Sequence, residues 1–85
     1  MKIKKEYQIM KVMNNDVLID TSNVNSNIIK LNETSKQIVE LLIKGMTKQE
    51  IIECILKEYN VDSDVINNDF DTLIDTLKKA NVIDD

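Results

Sequence analysis

Asn32 marks the sharpest change of pattern in the chain. The four residues before it, Ile28-Ile29-Lys30-Leu31, read as a short β-strand, and the residues after it keep helical spacing. Asn is a strong helix N-cap because its side-chain oxygen takes a backbone N–H of the first turn, and Glu33 behind it complements the helix dipole. The chain therefore passes from extended to helical at one residue, with mostly extended pattern before it and helical pattern after it. A strand placed there, left as a free sheet edge facing a helix, makes a slot for a peptide and needs no catalytic residue.

Upstream, Tyr7-Gln8-Ile9-Met10-Lys11-Val12-Met13 is rich in strand formers, and Asp16-Val17-Leu18-Ile19-Asp20 is a short return strand. Asn14-Asn15 between them suits the left-handed positions of a tight hairpin turn. Residues Thr21 to Asn27 are polar and turn-prone, a loop that delivers the chain to the third strand. Period two there puts Ile29 and Leu31 on one face, expected inward, and Ile28 and Lys30 on the other.

Downstream, three helices are expected. The first runs from Glu33 to Lys44 with Ile38, Leu41 and Leu42 inward, and Gly45, the only glycine, stands where a helix ends left-handed. Thr47-Lys48-Gln49-Glu50 is a capping box with Met46 and Ile51 as its staple, opening a helix to about Tyr59 whose apolar face is Ile51, Ile52, Ile55, Leu56 and Tyr59. Asp62 caps the third, where Ile66, Phe70, Leu73 and Leu77 form the core stripe and Asp64, Asn68, Asp71 and Asp75 a solvated face. Asn81 suits a left-handed end, and Val82-Ile83 are expected to fold back onto the core. The order predicts an α+β fold: a small winged helix-turn-helix-like domain over residues 1–85, three short N-terminal β-strands followed by three α-helices.

Composition narrows the chemistry. With no His and one Cys, nitrogen–sulfur metal sites, a disulfide framework and a nucleophile–base pair have no residues to build them, so neither enzyme nor cofactor is expected. Cys54 reads as a packing residue. No apolar run reaches the ~18 residues of a membrane span and no signal-peptide core follows the start, which suggests the cytoplasm. Residues 1–31 carry five Lys against three carboxylates, a net of +2; residues 32–85 carry six Lys against twelve, a net of −6. There is no Arg, and an acidic helical half without it is poorly suited to DNA phosphates.

The run Leu31-Asn32-Glu33-Thr34-Ser35, then Ile38, Leu41-Leu42, Gly45 and Thr47, resembles the Leu-Asn-Glu-Thr-Ala signature of the PqqD-like peptide chaperones. Tyr59-Asn60-Val61, Asp69-Phe70, Leu73 and Leu77 match that family's later positions, so the resemblance covers about residues 5 to 83. Ser35 replaces the usual Ala and Asn81 the usual Gly. The resemblance implies a RiPP recognition element, which binds the leader segment of a ribosomally made precursor peptide and presents it to a modifying enzyme. That enzyme would be a lasso-peptide leader peptidase and cyclase or a radical SAM maturase. It also implies the mode: the leader adds as a strand antiparallel to Ile28, Ile29, Lys30 and Leu31, in the groove between that strand and the third helix.

On that helix two flanks compete for the groove. Val65, Asp69, Thr72 and Thr76 line one, with Leu73 at the floor; Asn67, Ile74 and Lys78 line the other. The first is the expected wall, with Asp69 placed to meet a donor or a basic leader residue. A winged-helix DNA-binding regulator and a dimerisation module, whose free edge pairs with a second copy, are the rival readings. The expected state is a monomer or weak homodimer, with no nucleic acid and no membrane as partner.

Overall fold

The structure, a computed structural model, describes residues 2–23 and 28–84. The elements run β1 (Lys2–Ile3), β2 (Tyr7–Val12), β3 (Asn15–Asp20), β4 (Ile28–Leu31), α1 (Glu33–Ile43), α2 (Lys48–Glu58), α3 (Ser63–Lys79) and β5 (Ile83–Asp84). Three N-terminal antiparallel strands followed by three helices match the expected α+β order.

β2, β3 and β4 form one antiparallel sheet in that order. Its register follows the apolar alternation. Ile9 opposes Leu18 and Leu18 opposes Ile29, so with Tyr7 and Leu31 one face is turned to the core, where Leu18 is wholly buried. A slip by one residue would turn this whole set to solvent. The expected inward pair behaves so: Leu31 is buried and Ile29 half-buried, while Ile28 and Lys30 are exposed.

The hairpin turn lies one residue earlier than expected. Val12 pairs with Asn15, and the two left-handed residues are Met13 at φ 50° and Asn14 at φ 70°. Pairing Tyr7 with Asp20 and Ile9 with Leu18 outweighs the strain of a left-handed Met, on the order of 1–2 kcal/mol. Residues 24–27 of the expected loop lie outside the described residues; before them, Asp20 Oδ1 accepts the Ser22 N–H at 2.9 Å and holds a local turn.

The chain ends add a second, two-stranded sheet that the sequence pattern does not announce. β1 pairs antiparallel with β5, Ile3 opposite Ile83, and the Lys4 N–H donates to the Val82 carbonyl at 2.9 Å. Val82 and Ile83 do fold back onto the core, both buried. A two-residue strand has too little pattern to read; the pairing arises from where the end of α3 delivers the chain.

Local chemistry sets the helix ends. α1 and α3 both close with Schellman bonds. Met46 N–H donates to Leu41 and Gly45 N–H to Leu42 after α1; Val82 N–H donates to Leu77 and Asn81 N–H to Lys78 after α3. Gly45 (φ 89°) and Asn81 (φ 62°) take the left-handed positions. Thr47 and Glu50 form the expected capping box on α2, and the Asp62 side chain accepts the Asp64 N–H.

Two core assignments are corrected. In α1 the buried residues are Ile38, Val39 and Leu42, with Leu41 only half-buried. α1 packs against β1, β4, α2 and α3, and a helix covered on several sides buries a wider arc than one stripe. In α3 the buried set is Ile66, Phe70, Ile74 and Leu77; Leu73 is half-buried and Ile74, expected on a groove flank, is in the core. α3 is covered by α1, α2 and β5, which turns Ile74 inward and leaves Leu73 at the rim.

Candidate functional site

β4 has one sheet partner, β3, so its other border carries no ladder partner among the described strands. Such a border holds backbone N–H and C=O groups available to another strand. Beside it lies an open cleft of about 310 Å³ between β4, the start of α1 and α3 from Asp69 to Thr76.

Each wall follows from local sequence. β4 contributes Ile29 and Lys30. The strand ends one residue before the helix cap, so the first turn of α1 must stand beside the strand's end and brings Asn32, Thr34, Ser35 and Ile38. That turn is held by a reciprocal cap: Asn32 Oδ1 accepts the Ser35 N–H and Ser35 Oγ accepts the Asn32 N–H, both at 2.8 Å. Tyr59 at the end of α2 donates its hydroxyl to Glu33 Oε1 at 3.5 Å. Desolvation, then the Glu33 and Glu58 carboxylates, push that phenol above its ordinary range.

α3 supplies Asp69, Thr72, Leu73 and Thr76, spaced i, i+3, i+4, i+7 and hence on one face. The Thr76 hydroxyl donates to the Thr72 carbonyl at 3.1 Å, which leaves its methyl group for packing. Asp69 is exposed and makes no ion pair among the described residues, whereas Asp71 pairs with Lys48 at 2.9 Å and Asp75 with Lys79 at 3.1 Å. The cleft thus offers an apolar floor of Ile29, Ile38 and Leu73, a hydroxyl wall and one unpaired carboxylate.

Of the nine expected site residues, Ile29, Lys30, Asp69, Thr72, Leu73 and Thr76 line this cleft. Ile28 is on the outer sheet face and Leu31 in the core, so they border it through the strand's backbone only. Val65, one turn before Asp69, is exposed and outside the lining. The α1 residues were missed. Their signal was present in the immediate junction of Leu31, Asn32 and Glu33, which leaves no connection long enough to carry α1 away from the edge.

No group of three or more His, Cys, Asp or Glu side chains is placed to hold a metal ion among the described residues. Cys54 is free and half-buried on α2. No helix of the described residues is long and apolar enough to cross a membrane.

The profile of the family described as Coenzyme PQQ synthesis protein D (PqqD) matches residues 12–83. Two solved structures share the fold. One, described as TbiB1 in complex with the TbiA(beta) leader peptide, is 23% identical with a TM-score of 0.78 over 96% of this chain and 93% of its own. The other, a lasso peptide synthetase B1 complexed with the leader peptide, is 23% identical with a TM-score of 0.73 over 92% and 89%. No curated protein matches the chain significantly.

Proposed function

The chain belongs to the PqqD family, and on that premise we propose that it is a non-catalytic leader-peptide-binding domain. It takes a precursor's leader segment as an added strand on β4 and presents it to a modifying enzyme in the cytoplasm. The observation that carries this reading is the border of β4 that has no ladder partner among the described strands and faces α3 across an apolar-floored cleft. The two structures of the same fold, each described with a leader peptide, support it.

Magnitudes assign the parts. A hydrogen bond along the edge contributes about 0.5–1.5 kcal/mol net, while ordering each peptide residue costs about 1–2 kcal/mol. Backbone pairing alone therefore sets register without holding the guest. Apolar anchors, each worth ~1.5–3 kcal/mol when buried, supply the surplus, and Ile29, Ile38 and Leu73 are the floor that receives them. Ile28 to Leu31 give the pairing backbone. Asp69, Thr72 and Thr76 form the polar wall, Asp69 accepting from a donor or a basic leader residue; Val65 extends that wall only for a longer guest.

The enzyme served is a leader peptidase and cyclase or a radical SAM maturase, and the likeness to a lasso peptide synthetase B1 favours the first. Calorimetric titration of the protein with the leader of a precursor encoded beside its gene is the test. Micromolar or tighter affinity is expected, with a scrambled leader much weaker. Equal affinity for both, or none for the leader, refutes the reading.

A further inference from the structure

The outer face of the three-stranded sheet meets the cleft at Lys30 alone; its other residues lie outside the lining. Met10, Val17 and Lys30 form one cross-strand row on it, and Gln8, Ile19 and Ile28 the next. Met10 is 47% and Ile28 57% exposed, whereas Val17 in the central strand is 5% exposed and yet stands outside the contiguous core. A sheet with one solvated face normally alternates to polar residues there. Here the polar exceptions within the three strands are Gln8, Asn15 and Lys30.

Charge decides what covers this face. Lys30 is its single charged residue, no carboxylate of the three strands shares it, and Lys30 makes no ion pair among the described residues. A second copy packed face to face would bring in another lysine and nothing to meet either, and a desolvated unpaired charge is costly. A different protein can bring an apolar patch and a carboxylate. The face is also continuous with the cleft through β4. A strand added to that border would place alternate side chains in the cleft and the others beside Ile28 and Lys30.

We propose that the outer sheet face, centred on Met10, Val17, Ile19, Ile28 and Lys30, is the docking surface for the enzyme that acts on the bound peptide, met by an apolar patch with a carboxylate opposite Lys30. The naming of the enzyme rests on the leader-binding reading; the choice of an unlike partner over a second copy rests on the charge of the face.

Met10 lies on β2, two strands from the peptide border, so Met10→Glu and Met10→Lys alter the face without touching the cleft. The probe is the purified leader-processing enzyme encoded with the protein, titrated by biolayer interferometry with and without leader. Met10→Glu sets like charge against the partner's carboxylate and is expected to weaken enzyme binding about tenfold or more, Met10→Lys about threefold or less. Leader affinity stays within about twofold in both, as expected for changes outside the cleft. Enzyme binding unchanged in both variants overturns the proposal. So does Met10→Glu driving the chain to dimerise in sedimentation, since the new carboxylate would then be meeting Lys30 of a second copy. Failure of the unaltered protein to bind leader sinks the earlier reading alone, because the enzyme titration without leader still decides the face.

Discussion

Two clefts flank α3, and the larger is the less suited to a peptide. The one between α2 and the start of α3, lined by Lys48, Ile52, Leu56 and Asn67 among others, measures about 620 Å³ against about 310 Å³ for the one beside β4. Both mix apolar and polar side chains. The difference lies in the backbone. α2 and α3 satisfy their N–H and C=O groups internally, so the larger cleft has side chains to offer and no main-chain ladder. β4 offers both. Volume sets what fits, whereas an unsatisfied strand border sets what pairs in a defined register.

The largest expected effect falls on what the two clefts share. Phe70 is buried on α3, with Lys48 Nζ 5.6 Å from its ring centroid on the side of the larger cleft. Phe70→Ala should lower unfolding free energy by about 3–5 kcal/mol in urea, because the cavity left cannot collapse fully. A cost under about 1 kcal/mol would mean that α3 is not the common wall.

Next comes the pair that separates the clefts. Leu73→Glu puts a charge on the floor beside β4 and should weaken leader binding about thirtyfold, near 2 kcal/mol. Leu56→Glu makes the same change in the other cleft and should leave leader affinity within about twofold. Equal losses would break the distinction between them.

A smaller effect belongs to the junction. Asn32→Ala removes the acceptor that holds the first turn of α1 against the cleft, and should cost about 1 kcal/mol of stability in chemical denaturation. Leader affinity should fall with it, since that turn is one wall of the site. Stability lost with affinity unchanged would remove α1 from the site.

The smallest is a pH effect at the mouth of the other cleft. The Thr47 N–H, then the Thr47 hydroxyl, hold the Glu50 carboxyl below its ordinary range. A depressed folded pKa contributes stability above the unfolded pKa that is lost as pH falls through the folded one. Glu50→Gln should therefore be less stable than the unaltered protein at neutral pH, with the gap closing toward acid in thermal melts. Leader affinity should not follow that gap; if it does, the two clefts are coupled.

Sequence pattern reached the parts of this molecule that local chemistry decides. Asn32, Thr47 and Asp62 cap their helices, and Gly45 and Asn81 end theirs, because each outcome depends on residues within one turn. What escaped depends on partners far along the chain. Leu73 and Ile74 differ by 100° on the helix, and only the positions of α1, α2 and β5 decide which is core and which is rim. β1 and β5 are too short for any pattern. The hairpin shift at Met13 reflects a register chosen by the whole sheet, against the local preference of Asn for left-handed positions. In the site, α3 was legible from Asp69 to Thr76 because a helix face is periodic. The α1 wall was not, because nothing in its own spacing marks a cleft.

Amide proton exchange along β4, followed by NMR with and without leader, tests the open border most directly. The expected result is slowed exchange for amides within residues 28–31 and shifted resonances over 69–76, with α2 unaffected. Protection confined to residues 48–67, with β4 exchanging as before, would place the guest in the other cleft and contradict strand addition.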